Sequence, residues 1–176
     1  MNIVLIGFMG TGKSEVGRRL AQRLKMSFVD LDQLIERDAQ MTVARIFELE
    51  GEAGFRKRES QAVERLSAPD NHVISTGGGV VLDPENLRRL KALGSLVCLT
   101  ARPEVIQKRT GENAADRPML KGASSLEQIK MLLKARAPFY ARADTTVDTS
   151  DRSAQEVVTA IVEQMGGLAV RSKGAA

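Results

Sequence analysis

Near its start the chain has an apolar run, Asn2–Ile6, that breaks directly into Gly7-Phe8-Met9-Gly10-Thr11-Gly12-Lys13-Ser14. Lys13 in turn begins a stretch of helical periodicity that lasts to Leu24. Nothing else in the sequence limits the possible folds so sharply. The pattern G-x-x-x-x-G-K-[ST] between a strand and a helix is the phosphate loop of a nucleotide-binding α/β domain. Each residue type has a physical reason. Glycines let the backbone turn tightly and bring its N–H groups against phosphate oxygens with no Cβ in the way. The helix that follows directs its positive end at the same point. Lys13 supplies a mobile positive charge for the β- and γ-phosphates, and Ser14 a hydroxyl for Mg²⁺.

The rest of the chain alternates in the manner this loop demands. Short apolar runs lie at Asn2–Ile6, Ser27–Leu31, His72–Thr76, Ser95–Thr100 and Thr145–Asp148. Helical patterns lie among them at Lys13–Leu24, Pro84–Leu93, Ser125–Arg136 and Ala154–Met165. Such alternation predicts a parallel sheet covered on both faces. The unbroken apolar runs Ile3-Val4-Leu5-Ile6 and Leu96-Val97-Cys98-Leu99 fit strands buried on both sides. Residues 32–68 are helical by pattern with no strand between, and Thr42 is a suitable N-cap ahead of Val43, Ile46, Phe47 and Leu49. Residues 111–124 are polar, glycine-flanked and unpatterned, and a loop of that length is functional or disordered.

Composition removes several classes of function. The 176 residues, 43% apolar and 27% charged, suit one globular domain. No apolar run approaches the roughly 18–20 residues that span a bilayer, and Ile3–Ile6 lacks the flanks of a signal peptide. The lone Cys98 reads as a buried apolar thiol and allows no internal disulfide, which agrees with a reducing cytoplasm. His72 is the single histidine, which argues against a multi-histidine metal site. The formal charge of +4 suits acidic ligands, but aromatics at 3% and the lack of a basic block argue against nucleic acid. A guanine-reading N-K-x-D and a D-x-x-G switch are both missing from the sequence, and the runs at 72–76 and 95–100 end without an acid. A kinase of a small molecule or nucleotide remains.

Further motifs supply candidates for the second substrate. Phe28-Val29-Asp30-Leu31-Asp32 closes a strand with two acids that would share a face. Asp32 is placed to accept an acceptor's hydroxyl proton, Asp30 to hold Mg²⁺ through its water shell, and either to cap the next helix. Gly77-Gly78-Gly79 follows the third strand directly, at an entropic cost that implies close backbone approach. Arg56 and Glu59 are three apart in a helical stretch and can pair. Arg117 lies in the long loop and Arg136 near a helix end, with Pro138 and Tyr140 beyond it. Arginine suits planar carboxylates and phosphates through its rigid donor fork.

In order and spacing, the GxxGxGKS loop, the DLD strand end, FRxxE, the GGG turn, Arg117-Pro118 and Arg136-x-Pro138-x-Tyr140 together resemble the shikimate kinase family, from Ile3 to about Val162. The resemblance implies a nucleoside-monophosphate-kinase-like fold. It would have a five-stranded parallel sheet flanked by helices, a lid over about 111–124 and substrate-binding helices over about 32–68. One kinase domain would occupy 1–165, with a flexible tail at 166–176. It implies phosphorylation of the 3-hydroxyl of shikimate by ATP, with Mg²⁺, in aromatic amino acid biosynthesis. Gly10, Thr11, Gly12, Lys13, Ser14 and Glu15 would bind the phosphates, Arg117 would reach ATP from the lid, and Arg152 would lie near adenine. Asp32, Arg56, Gly78 and Arg136 would hold shikimate, with the two arginines on its carboxylate, Asp32 on its hydroxyls and Glu59 steadying Arg56. Lys13, Asp32 and Arg117 would carry catalysis. Glu15 stands where threonine is common in the family. The expected partners are ATP and shikimate, with no nucleic acid and no membrane, in a cytoplasmic monomer. A kinase of another small acid, such as gluconate, or of a nucleotide, and a non-catalytic nucleotide-binding module are the competing readings.

Overall fold

The structure, a computed structural model, describes residues 1–66, 70–111 and 126–173. Five parallel strands form one sheet in the order β2-β3-β1-β4-β5. They are β1 (Asn2–Gly7), β2 (Ser27–Asp30), β3 (His72–Ser75), β4 (Gly94–Thr100) and β5 (Thr145–Asp148). The helices are α1 (Lys13–Leu24), α2 (Leu31–Ala39), α3 (Val43–Arg65), α4 (Pro84–Leu93), α5 (Pro103–Gly111), α6 (Leu126–Tyr140) and α7 (Ala154–Lys173). All five expected strands are present; β1 is buried along its length and β4 over Leu96–Leu99, whereas the edge strands β2 and β5 are partly exposed.

Alternation along each strand divides the core. Ile3 and Leu5 of β1, Val73 of β3 and Val97 and Leu99 of β4 pack with Val16 and Leu20 of α1 and Val157, Val158 and Ile161 of α7. Val4 and Ile6, Ile74, and Leu96 and Cys98 face the other way, onto α2 to α6. Cys98 is buried in that second layer, and burial pushes its thiol up to about 11.

β1 is central, with β3 on one side and β4 on the other. The chain leaves the carboxyl end of β1 where the strand order changes direction, and this crevice is where open parallel sheets bind ligands. The carboxyl ends of the other strands, at Asp30, Ser75 and Thr100, lie along the same edge.

Three elements differ from the sequence reading. Asp30 ends β2 and caps α2, so Asp32 lies in the first helical turn and the two acids do not share a strand face. α6 runs through Pro138 to Tyr140, because a proline near a helix end forfeits a single bond. α7 is helical past the Met165 at which its pattern was expected to end, through Gly166-Gly167 to Lys173. α3 begins at the expected Thr42 cap and is bent at Gly51, whose φ is 68°. Arg117 and nearly all of the expected lid lie outside the described residues. No helix among the described residues is long and apolar enough to cross a membrane.

α4 shows how local chemistry sets an element's start. Asp83 Oδ1 accepts from the N–H groups of Glu85 at 2.8 Å and Asn86 at 3.1 Å, and Pro84 pre-sets the first turn. Asp83→Ala should therefore cost about 1 kcal/mol of stability, seen as a lower urea midpoint with an unchanged slope.

Candidate active site

The phosphate loop owes its path to glycine. Gly7, Gly10 and Gly12 have φ of 138°, 77° and 90°, which L side chains rarely adopt. A Cβ at Gly7 would also collide with the Leu99 carbonyl on β4. Lys13 Nζ donates to the carbonyls of Gly7 and Phe8, each at 2.9 Å, so the ammonium lies in the mouth of its own loop. Thr11 is buried and its hydroxyl donates to the Phe8 carbonyl at 2.7 Å, which turns its side chain away from the cavity. Ser14 Oγ lies 3.4 Å from Ser75 Oγ at the end of β3, and Asp30 is the register partner of Ser75. Glu15 lies at the rim of the cavity, where its exposed carboxylate pairs with Arg19 at 2.6 Å one turn further along α1.

Facing this loop across a cavity of about 690 Å³ are α2, α3 and the glycine turn. Asp30 Oδ1 is committed to capping, accepting from Asp32 N at 3.1 Å. Asp32 Oδ1 and Glu59 Oε1 are buried with no hydrogen-bond partner. Such atoms are costly to leave bare, so an arriving ligand with hydroxyl donors fits this wall. Arg56 Nη1 donates to the other oxygen of Glu59 at 2.7 Å. That pair is no solvated surface pair, since Glu59 is only 1% exposed.

The three glycines each make room for one part of the site. A Cβ at Gly77 would lie 2.6 Å from Glu59 Oε1 and 3.2 Å from Asp32 Oδ1. At Gly78 it would meet the Met9 backbone N at 3.2 Å, and at Gly79 the Arg56 guanidinium carbon at 2.6 Å. Close approach of this turn's backbone to a substrate was the expectation; within the chain, its near neighbours are the protein's own side chains and phosphate loop.

Arg136 is 4% exposed, with its guanidinium 5.0 Å from the Phe8 ring centre and Nη1 3.5 Å from the Gly78 carbonyl. Its burial follows from helix spacing, since Ile129, Arg136 and Tyr140 share one face of α6. Arg152 is exposed beyond β5 and does not line the cavity. Arg109, which the sequence reading passed over, does line it. Its guanidinium donates to Thr149 O at 2.8 Å, to Thr149 Oγ1 at 3.0 Å and to Gly10 O at 3.3 Å, tying the loop after β5 to the phosphate loop. In the sequence it is one half of a Lys-Arg pair at a helix end, a pattern shared with many solvated helices.

Burial dominates the electrostatics. The Asp32 carboxyl is pushed up to about 6 by burial and by the Asp30 carboxylate, with Lys13 and Arg56 opposing. Glu59 is also raised by burial, with Arg56 opposing. A raised carboxyl binds its proton more tightly in the folded state. Its stabilising contribution is therefore full below the ordinary value of 3.8 and lost as pH rises through about 6. Asp32→Asn should raise the melting temperature at pH 8, by the equivalent of about 1–3 kcal/mol, and by much less at pH 4. Thermal denaturation at the two pH values tests this.

Comparisons with known proteins agree with this geometry. The family model described as shikimate kinase matches residues 9–166. The shikimate kinase of Symbiobacterium thermophilum is 49% identical over 94% of this chain and 96% of its own length. That of Pelotomaculum thermopropionicum is 51% identical over 92% and 93%. Among solved structures, shikimate kinase from Acinetobacter baumannii in complex with shikimate superposes with a TM-score of 0.89 at 36% identity, covering 94% of this chain and 93% of that one. A central phosphate loop, buried acids and inward arginines on a five-stranded parallel sheet thus accompany near full-length similarity, and the chain belongs to the shikimate kinase family.

Proposed function

We propose that this chain transfers the γ-phosphoryl group of ATP to the 3-hydroxyl of shikimate, giving shikimate 3-phosphate and ADP. The observation that carries the reading is the bare Asp32 Oδ1 in a cavity whose opposite wall is the phosphate loop. Backbone N–H groups of Gly10 to Glu15 and the Lys13 ammonium receive the phosphates. Arg56 and Arg136 take the acceptor's carboxylate as bidentate partners, while Asp32 and the backbone at Gly78 orient its ring. Transfer is direct and in line. The hydroxyl oxygen forms its bond to the γ-phosphorus as the bond to the β-bridging oxygen breaks. The hydroxyl proton passes to Asp32, and the electron pair leaves with ADP. Arg117, outside the described residues, is assigned to the nucleotide from the lid, and Arg152 to the region near adenine.

Mg²⁺ fits the residues present. Ser14 Oγ points toward Ser75 Oγ, with Asp30 at the neighbouring strand end. No cluster of three or more acidic, histidine or cysteine ligands occurs among the described residues. This suits a cation held mainly by nucleotide phosphates and water, with Ser14 as direct ligand and Asp30 acting through water. The ion would neutralise charge on the β- and γ-phosphates. We assign the protein to a monomer in a reducing cytoplasm, which the buried thiol of Cys98 suits.

The first test is Mg²⁺-dependent ADP release with shikimate, gluconate or AMP as acceptor. Strong stimulation by shikimate alone is expected, and stimulation by another acceptor instead would overturn the assignment. Because Asp32 must be ionised to accept the proton, kcat/KM for shikimate should fall below about pH 6. Asp32→Asn should cost about 10²-fold or more in kcat. Gly79→Ala, whose Cβ would displace the Arg56 guanidinium, should raise the shikimate KM about tenfold or more while leaving the ATP KM near its original value. Steady-state kinetics in both substrates would expose an error in the Arg56 assignment as a flat shikimate KM.

A further inference from the structure

Tyr140 has no part in the reaction as described. It lies one helical turn beyond Arg136 on the same buried face of α6 and is 8% exposed. Its hydroxyl donates to the Gly78 carbonyl at 2.6 Å, the same oxygen that Arg136 Nη1 approaches at 3.5 Å. On its other side Gly78 lies against the phosphate loop, where a Cβ would be 3.2 Å from Met9 N and 3.5 Å from Gly7 O. The middle residue of the glycine turn is therefore clasped between the phosphate loop and α6. Volume alone would be served by phenylalanine, and a buried hydroxyl is costly unless it has a partner. Burial pushes the Tyr140 phenol up to about 12, so the hydroxyl keeps its proton at any working pH and is always a donor.

We propose that Tyr140 is a positioning residue for the acceptor: by satisfying the Gly78 carbonyl it fixes the glycine turn against the phosphate loop and leaves the Arg136 guanidinium turned to the cavity. This rests on the reading of Arg136 as a carboxylate ligand. Without the phenol, the Gly78 carbonyl keeps, among the described residues, only the long contact with Arg136 as a side-chain donor. The cheapest remedy for that bare acceptor is for the guanidinium to close on it. A donor is then withdrawn from the acceptor's carboxylate, and the turn loosens on the side away from the nucleotide. Tyr140 touches no substrate in this scheme and acts through Gly78 and Arg136.

Tyr140→Phe removes one oxygen and keeps the packing. It should raise both the shikimate KM and the shikimate Kd, measured by calorimetry without nucleotide, by about five- to twentyfold. The ATP KM and kcat should stay within about twofold of the unaltered protein. Because the effect passes through Arg136, adding Tyr140→Phe to Arg136→Ala should weaken shikimate binding by less than about twofold more. A purely structural role gives another pattern: a lower melting temperature, both KM values raised, and additive losses in the double variant. That pattern, or a shikimate KM within about twofold of the original, overturns the proposal. An unaltered chain that releases no ADP with shikimate overturns the functional reading and this inference with it. An active chain with an indifferent Tyr140→Phe overturns the inference alone.

Discussion

The contact between two glycine turns sets the geometry of everything else in the site. Gly78 lies against the backbone of Met9 and Gly7 with no side chain between them. The phosphate loop hangs from β1 and the Gly77–Gly79 turn from β3, which are paired neighbours in the sheet. The separation between the phosphate loop and the glycine turn is therefore set by main-chain packing rather than by long side chains. Positioning of this kind is most of what phosphoryl transfer asks of a protein, because the chemistry itself needs alignment and charge neutralisation. The same contact explains why three glycines occur together. Each lacks a side chain where a different neighbour must pass: Glu59 and Asp32, then the phosphate loop, then Arg56.

The charges are arranged at the expense of stability. Asp32 and Glu59 each bury an oxygen with no partner, and burial raises both carboxyls. Lys13 and Arg56 offset part of that cost at Asp32, and Arg56 does so at Glu59. A chain selected only for stability would have no such atoms. The strain is local, and the surrounding layers are conventional: apolar strands covered on both faces, and helices capped by Asp30, Thr42 and Asp83.

Much of this was legible in the sequence because several local signals agree. The strand before the phosphate loop, the glycines within it and the periodic helix after it all point to one structure, and α1 occupies the span its pattern predicted, Lys13–Leu24. Asp32, Arg56, Gly78 and Arg136 do line one cavity. What was not legible depends on contacts between distant segments. Asp30 and Asp32 looked like strand neighbours because β2 passes into α2 with no intervening loop, and only the capping bonds reveal the boundary. Arg109 was missed because its partners, Gly10 and Thr149, come from the loops after β1 and β5. Tyr140 was visible as a letter in a motif, but its bond to the Gly78 carbonyl requires α6 to lie over the glycine turn.

The division of the core into two layers has a consequence for substitutions. Four charged side chains that line the cavity, Asp32, Arg56, Glu59 and Arg136, all belong to helices on the α2 to α6 side of the sheet. α1 and α7 back the other side and share their apolar layer with none of them. The apolar layer that backs the phosphate loop and the layer that carries the cavity's charged helices are thus separate, so a substitution packed in one is cushioned from the other by the sheet itself.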